Sequence, residues 1–136
     1  MTQAEEMSQR LSGLFSDTLG LEITSAEPEK VEGRLTVRPA ICTTGNIMHG
    51  GAVMSMADTL GAVATVLNLR PGQGTTTLES KTNFFAAAPE GQQVFATTLP
   101  LHRGGRTQVW QTTIRLESGK MVAQITQTQM VLEPRA

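Results

Sequence analysis

Gly45-Asn46-Ile47-Met48-His49-Gly50-Gly51 leads directly into a mostly apolar run at 52–69, and this stretch decides the fold. The run is long enough for about five helical turns at ~3.6 residues each. It contains one charged residue, Asp58. Charged side chains are seldom fully buried unless they are paired or put to use. Asp58 is therefore the first candidate for a catalytic residue.

Two glycines, Gly50 and Gly51, stand where this helix is predicted to begin. They leave no Cβ over the backbone, so a substrate carbonyl can come close. The first N–H groups of a helix lack intrahelical partners and, with the helix dipole, can stabilise an oxyanion. The Gly51 N–H is our candidate. Asp58 lies roughly 10 Å further along the axis at ~1.5 Å per residue. A site that uses both groups would therefore take Asp58 from a second copy of the chain.

The composition indicates one globular domain, residues 1–136, with 39% hydrophobic residues, 17% charged residues and a net charge of −1. This balance gives no basic surface for nucleic acid or for an anionic membrane. Cys42 is the only cysteine, so no intrachain disulfide can form. The N-terminus carries Glu5 and Glu6 where a signal peptide would be basic and then apolar. We therefore expect a cytoplasmic protein.

The rest of the chain predicts one N-terminal amphipathic helix over residues 1–19, and then mostly strands. Thr2 and Glu5 form a capping box pattern, and Gly20 is a plausible stop. Tight turns between strands favour antiparallel pairing. The predicted fold class is α+β, with an antiparallel sheet wrapped around one long helix and open edges that favour self-association. The predicted strands are 21–26, 31–38, 75–86, 94–101, 107–117 and 121–132, with hairpin turns at 103–106 and 118–119.

This pattern resembles the hotdog-fold acyl-CoA thioesterases of the PaaI-like (phenylacetic acid degradation) branch. The resemblance covers about residues 15 to 132. The matching positions are His49-Gly50-Gly51, Ala57-Asp58, Thr77, Glu79, Lys81, Asn83, Phe84, Pro89, Gly91, residues 103–107 and 117–120, and Val122-Ala123.

The resemblance implies hydrolysis of an acyl-CoA thioester at two sites between paired subunits, in a dimer or a tetramer. It implies that the Gly51 N–H polarises the thioester carbonyl. Asp58 of the other subunit would act as the general base or as the nucleophile, and the Thr77 hydroxyl would orient water. CoA is part of the substrate, and the reaction requires no metal and no redox cofactor.

One position departs from the family pattern. Members often have Asn or Gln six residues before the histidine, whereas this chain has Thr43, with Asn46 closer to the turn. Either Asn46 supplies the polar contact from a shifted position, or the thioester is held differently. His49 either holds the turn through a ring hydrogen bond or lies near the substrate.

The remaining candidates concern the two ends of the substrate. Met54, Leu60 and Phe84 are expected to line the acyl pocket, which suggests an aryl or a medium-chain acyl group. Arg103 and Arg106 either contact CoA phosphates or are solvated turn residues. Two other functions stay open: a hotdog dehydratase or hydratase, which needs a histidine base with a nearby acid, and a non-catalytic oligomer that binds acyl-CoA.

Overall fold

One long helix lies against a six-stranded antiparallel sheet in the computed structural model of this chain, which describes residues 1–135. The long helix is α3 (Gly50–Val66), and two short helices, α1 (Gln3–Arg10) and α2 (Phe15–Leu19), precede it. The strands are β1 (Glu22–Glu27), β2 (Lys30–Thr36), β3 (Cys42–Thr43), β4 (Ile47–Met48), β5 (Gly74–Phe84), β6 (Gln93–Arg103), β7 (Thr107–Leu116) and β8 (Met121–Leu132).

The sheet order is β1-β2-β6-β7-β8-β5, and every neighbouring pair is antiparallel. Strands β3 and β4 form a separate small hairpin just before α3. The predicted α+β architecture, an antiparallel sheet with one long central helix, is confirmed. Strand β5, 11 residues long, forms one edge of the sheet.

Helix α3 presents one face to the sheet and the opposite face to solvent. Met56, Ala57 and Leu60 are 0% exposed and pack in the core. On the other face Met54 is 36% exposed and Asp58 is exposed. The sheet of one protomer therefore covers the core-facing side of this apolar helix and leaves Met54 and Asp58 accessible.

The N-terminal segment also differs from its prediction. The predicted single helix is broken at 11–14, where Gly13 adopts φ +78°, a conformation that favours glycine. The Asp17 carboxylate accepts a hydrogen bond from the Gly13 N–H at 3.0 Å and stabilises the restart. The Thr2–Glu5 capping box is confirmed. None of the helices within residues 1–135 combines the length and the hydrophobicity needed to cross a membrane.

Candidate active site

The start of α3 is capped by a side chain. His49 is the N-cap residue, and its Nδ1 accepts a hydrogen bond from the Gly51 N–H at 2.8 Å. The Gly51 N–H, which we expected to be free for a substrate carbonyl, is thus already engaged within its own chain. The Gly50 N–H is the first amide of the helix, and no acceptor within residues 1–135 engages it. The free donor at this helix end is therefore one residue earlier than predicted.

Gly50 opens into a cavity of about 360 Å³ between α3 and the end of β5. Its lining includes Thr43 and Phe84, and substrate binding by these two residues stays a prediction. A Cβ on Gly50 would lie 3.3 Å from the Phe84 ring, so glycine allows close approach here. Asn46 lies instead at the exposed tip of the β3–β4 hairpin with φ 56°. Asparagine is among the few residues that tolerate this conformation, which accounts for Asn46 without a contact to substrate.

Asp58 and Thr77 are brought together by α3 and β5. The Thr77 hydroxyl donates to Asp58 Oδ1 at 2.9 Å. Both residues line a cleft of about 220 Å³ together with Met54, Ser55 and Ser80. The structure therefore unites three of the predicted site residues, one acidic, one hydroxylic and one apolar, on the exposed face of the protomer. Gly50 and Gly51 do not line this cleft.

The sequence analysis missed two glutamines of β8. Gln127 and Gln129 are both 0% exposed. The Gln129 side-chain N–H donates to Thr77 Oγ1 at 2.7 Å, and the Gln127 amide lies 3.4 Å from Asp58 Oδ1. The sequence did indicate that both glutamines are buried, because side chains alternate along a strand and Gln127 and Gln129 lie on the same face as the buried Ile125.

A β-bulge shapes the cleft. The pairing of β5 with β8 shifts register between Thr77 and Glu79, so Leu78 is an extra, unpaired residue. Bulges next to active sites commonly redirect side chains. Here the extra residue leaves Thr77 and Ser80 in the lining of the same cleft, although they are three positions apart.

A second groove reaches Asp58 from the N-terminal helices. It measures about 340 Å³, within the range of small-molecule sites, and is mainly apolar. Leu60, which we expected in an acyl pocket, is fully buried beneath the sheet and lines neither this groove nor the cleft. The groove is lined by Met7, Arg10, Leu11, Leu14, Phe15, Ser16, Asp58, Thr59, Ala62, Val63 and Val66.

The predicted CoA-binding arginines lie elsewhere. Arg103 contacts the Asn68 side chain and the Pro28 carbonyl, each at 3.4 Å, just beyond the C-terminal end of α3. With Arg70 it lines a polar cavity of about 270 Å³. Arg106 is exposed and does not line this cavity. The structure thus places Arg70 and Arg103 in the lining of one cavity. Contact with CoA stays a prediction for Arg103 and Arg106.

Cys42 has the properties of a structural residue. Desolvation, and then the charge of Glu90, raise the pKa of the Cys42 thiol above its ordinary value. Because the thiolate is the nucleophilic form, a raised pKa disfavours reactivity near neutral pH. The Cys42 thiol instead donates to the Arg38 carbonyl at 3.4 Å.

Comparisons with known proteins show the family to which this chain belongs. The profile of the thioesterase superfamily matches residues 45–123. The proofreading thioesterase EntH of Cronobacter turicensis is 30% identical over 116 residues, which cover 85% of this chain and 84% of that protein. The crystal structure of thioesterase HI1161 from Haemophilus influenzae superposes with a TM-score of 0.91 at 27% identity, covering 98% of this chain and 92% of that one.

The fold is also that of the phenylacetic acid degradation protein PaaI. The structure of a point mutant of PaaI from Thermus thermophilus superposes with a TM-score of 0.78 at 24% identity, covering 85% of this chain and 96% of that one. This likeness confirms the fold expected from the resemblance. On the profile match and the similarity to EntH and HI1161, this chain belongs to the thioesterase superfamily and is a thioester hydrolase of the hotdog fold.

Proposed function

We propose that the protein hydrolyses acyl-CoA thioesters with an apolar acyl group, at sites shared between two protomers. The observation that carries the proposal is the cleft in which an accessible carboxylate, Asp58, is held by the Thr77 hydroxyl. Asp58 is accessible to substrate on the protomer. Hydrolysis also requires a hydrogen-bond donor that polarises the thioester carbonyl, and a helix N-terminus is such a donor.

The second protomer supplies that donor in our proposal. Strand β5 presents an unpaired edge, and three large apolar side chains on or next to it are exposed: Leu78 (56%), Phe84 (53%) and Phe85 (58%). Such an edge favours pairing with another copy. A two-fold pair would give two equivalent sites, each with Asp58 from one protomer and the start of α3 from its partner. A tetramer would consist of two such dimers. We expect the protein to be cytoplasmic.

The reaction then needs few groups. The Gly50 N–H, rather than the Gly51 N–H of our sequence prediction, donates to the carbonyl oxygen as it becomes an oxyanion. Asp58 either takes a proton from the attacking water or attacks the carbonyl carbon itself and forms an anhydride that water opens. The C–S bond breaks, and the CoA thiolate leaves and takes up a proton. No metal and no redox cofactor takes part.

The His49 geometry disfavours a dehydratase. That chemistry would need a histidine base beside an acid, whereas His49 Nδ1 accepts the Gly51 N–H and caps the helix. His49 and Asn46 therefore serve mainly to shape the turn, and their loss should reduce activity less than the loss of Asp58.

A thiol-release assay over acyl-CoAs of increasing size tests the proposed function. We expect turnover of aryl- and medium-chain acyl-CoAs with kcat/KM above about 10⁴ M⁻¹s⁻¹, the lower end for typical enzymes. Free coenzyme A must appear in step with the free acid. Binding of acyl-CoA without release of thiol across the panel would instead indicate the non-catalytic oligomer.

The groove between α1, α2 and α3 is our candidate for the acyl group, because it is apolar and includes Asp58. Ala62 lies in its wall, on α3 four residues beyond Asp58. We expect Ala62→Phe to fill the groove and lower kcat/KM for the largest acyl groups at least tenfold, a loss typical of pocket discrimination at about 1.4 kcal/mol. Acetyl-CoA serves as the internal control and should be hydrolysed at the wild-type rate. An equal loss for every acyl length would place the acyl group elsewhere.

A further inference from the structure

Two polar side chains of the cleft, Asp58 and Thr77, each have a buried amide behind them. Gln129 lies behind Thr77 and Gln127 lies behind Asp58, both on β8. Burying an amide is unfavourable unless it gains hydrogen bonds, and the buried residues before and after the two glutamines on this face of β8, Ile125 and Val131, are apolar. Two fully buried glutamines that both contact the cleft therefore require a role that apolar residues could not fill.

The hydrogen bond from Gln129 fixes the direction of the Thr77 hydroxyl. A hydroxyl has one hydrogen. Because the Gln129 N–H donates to Thr77 Oγ1 at 2.7 Å, the Thr77 hydrogen must point to another acceptor, and Asp58 Oδ1 lies 2.9 Å away. A flipped amide would take the Thr77 hydrogen for itself and leave Asp58 without this donor. The Thr75 hydroxyl lies 3.0 Å from Gln129 Oε1 and 2.9 Å from the Met130 carbonyl oxygen, and it donates its single hydrogen to one of them.

Gln127 approaches Asp58 at a gap that a glycine leaves on the surface of α3. A Cβ on Gly61 would lie 2.3 to 2.5 Å from the amide atoms of Gln127. Glycine inside a helix is unfavourable, so its presence here is explained by the room that the amide needs. The Gln127 N–H lies 3.4 Å from Asp58 Oδ1 and 3.5 Å from the Asp58 carbonyl oxygen, so these are long contacts.

We propose that Gln129 and Gln127 are positioning residues that hold the Asp58 carboxylate for attack, Gln129 through Thr77 and Gln127 directly. This inference rests on the proposed function. It also changes the role expected for Thr77: its hydrogen is committed to Asp58, so the hydroxyl orients the carboxylate rather than donating to water. A displacement of about 1 Å in a reacting group can cost ~10²-fold in rate, so rigid support matters here.

The test replaces each amide with a side chain of similar length and no hydrogen bonds. We expect Gln129→Met to lower kcat about tenfold or more with KM for acyl-CoA nearly unchanged, because substrate binding does not depend on this orientation. Gln127→Met should act in the same direction and more weakly, since its contacts are longer. Gln108→Met is the matched control: Gln108 is also buried, pairs with Gln129 across β7 and β8, and has no hydrogen bond to the cleft.

A double-mutant cycle separates positioning from structure. If Gln129 acts through Thr77, Gln129→Met should cost nothing further in a Thr77→Val background. Additive losses, a wild-type kcat for Gln129→Met, or an equal loss in Gln108→Met would overturn the inference. The Asp58→Asn variant distinguishes failure of the positioning role from failure of the proposed function. An inactive Asp58→Asn with fully active glutamine variants rejects the positioning role alone, whereas an active Asp58→Asn rejects the proposed function itself.

Discussion

Asp58→Asn should lower kcat at least ~10²-fold, the lower end for loss of a general base, and leave KM nearly unchanged. Loss of a nucleophile would cost more. The asparagine keeps the size of the side chain and an oxygen that can accept the Thr77 hydroxyl, so binding and packing are preserved. From the sequence alone we expect an unchanged or a raised melting temperature, because a buried acid normally costs stability. Because Asp58 is exposed on the protomer, we now expect the melting temperature to stay the same.

Asp17→Asn is the matched control for this measurement, since Asp17 is the only other aspartate of the chain. It accepts the Gly13 N–H at the break between α1 and α2 and does not line the cleft. It should lower stability slightly and retain full kcat. Near wild-type hydrolysis of a good acyl-CoA substrate by Asp58→Asn would falsify the assignment of Asp58 as the general base or nucleophile.

Two inactive variants should restore one another when their subunits are mixed. Asp58→Asn removes the acid, and Gly50→Val places a side chain against the Phe84 ring at the free N–H of the helix. In a mixed dimer one site receives both defects and the other receives neither. Random refolding of equal amounts should therefore return about one quarter of the wild-type activity, because half of the dimers are mixed and each has one intact site.

Each variant refolded alone is the control and should stay inactive, with the elution volume of the wild-type dimer in size-exclusion chromatography. Sites built within one protomer would carry one defect each, so the mixture would then show no recovery. A fully active monomer at micromolar concentration would contradict the shared site as well.

The sequence was sufficient for α3, for the six strands of the main sheet and for three of the five residues that line the cleft. The apolar run after His49-Gly50-Gly51 predicted α3 to within a few residues, and the turns near Gly104 and Gly119 predicted the last two hairpins. Asp58 and Thr77 were both identified before their contact was known, because a lone acid in an apolar helix and the family pattern each pointed to them.

The features that the sequence did not predict depend on side-chain rotamers and strand pairing, which no short stretch of sequence indicates. The rotamer of His49 decides which helix N–H is free. The His49 ring accepts the hydrogen bond of the Gly51 N–H, so the Gly50 N–H keeps no acceptor within residues 1–135. The contact of Gln129 with Thr77 depends on the pairing of β5 with β8 and on the bulge at Leu78. A helix that is apolar nearly all round also gives no indication of which face the sheet covers.

The open edge of β5 has a consequence for the life of the newly made chain. A folded single protomer would hold its acid on the surface and its free helix N–H elsewhere, so it would leave the ribosome without hydrolytic activity. Activity would begin only when two protomers associate. The same association would cover the β5 edge, which could otherwise pair with strands of unrelated chains. Assembly would thus act at once as the switch for hydrolysis and as the protection against aggregation.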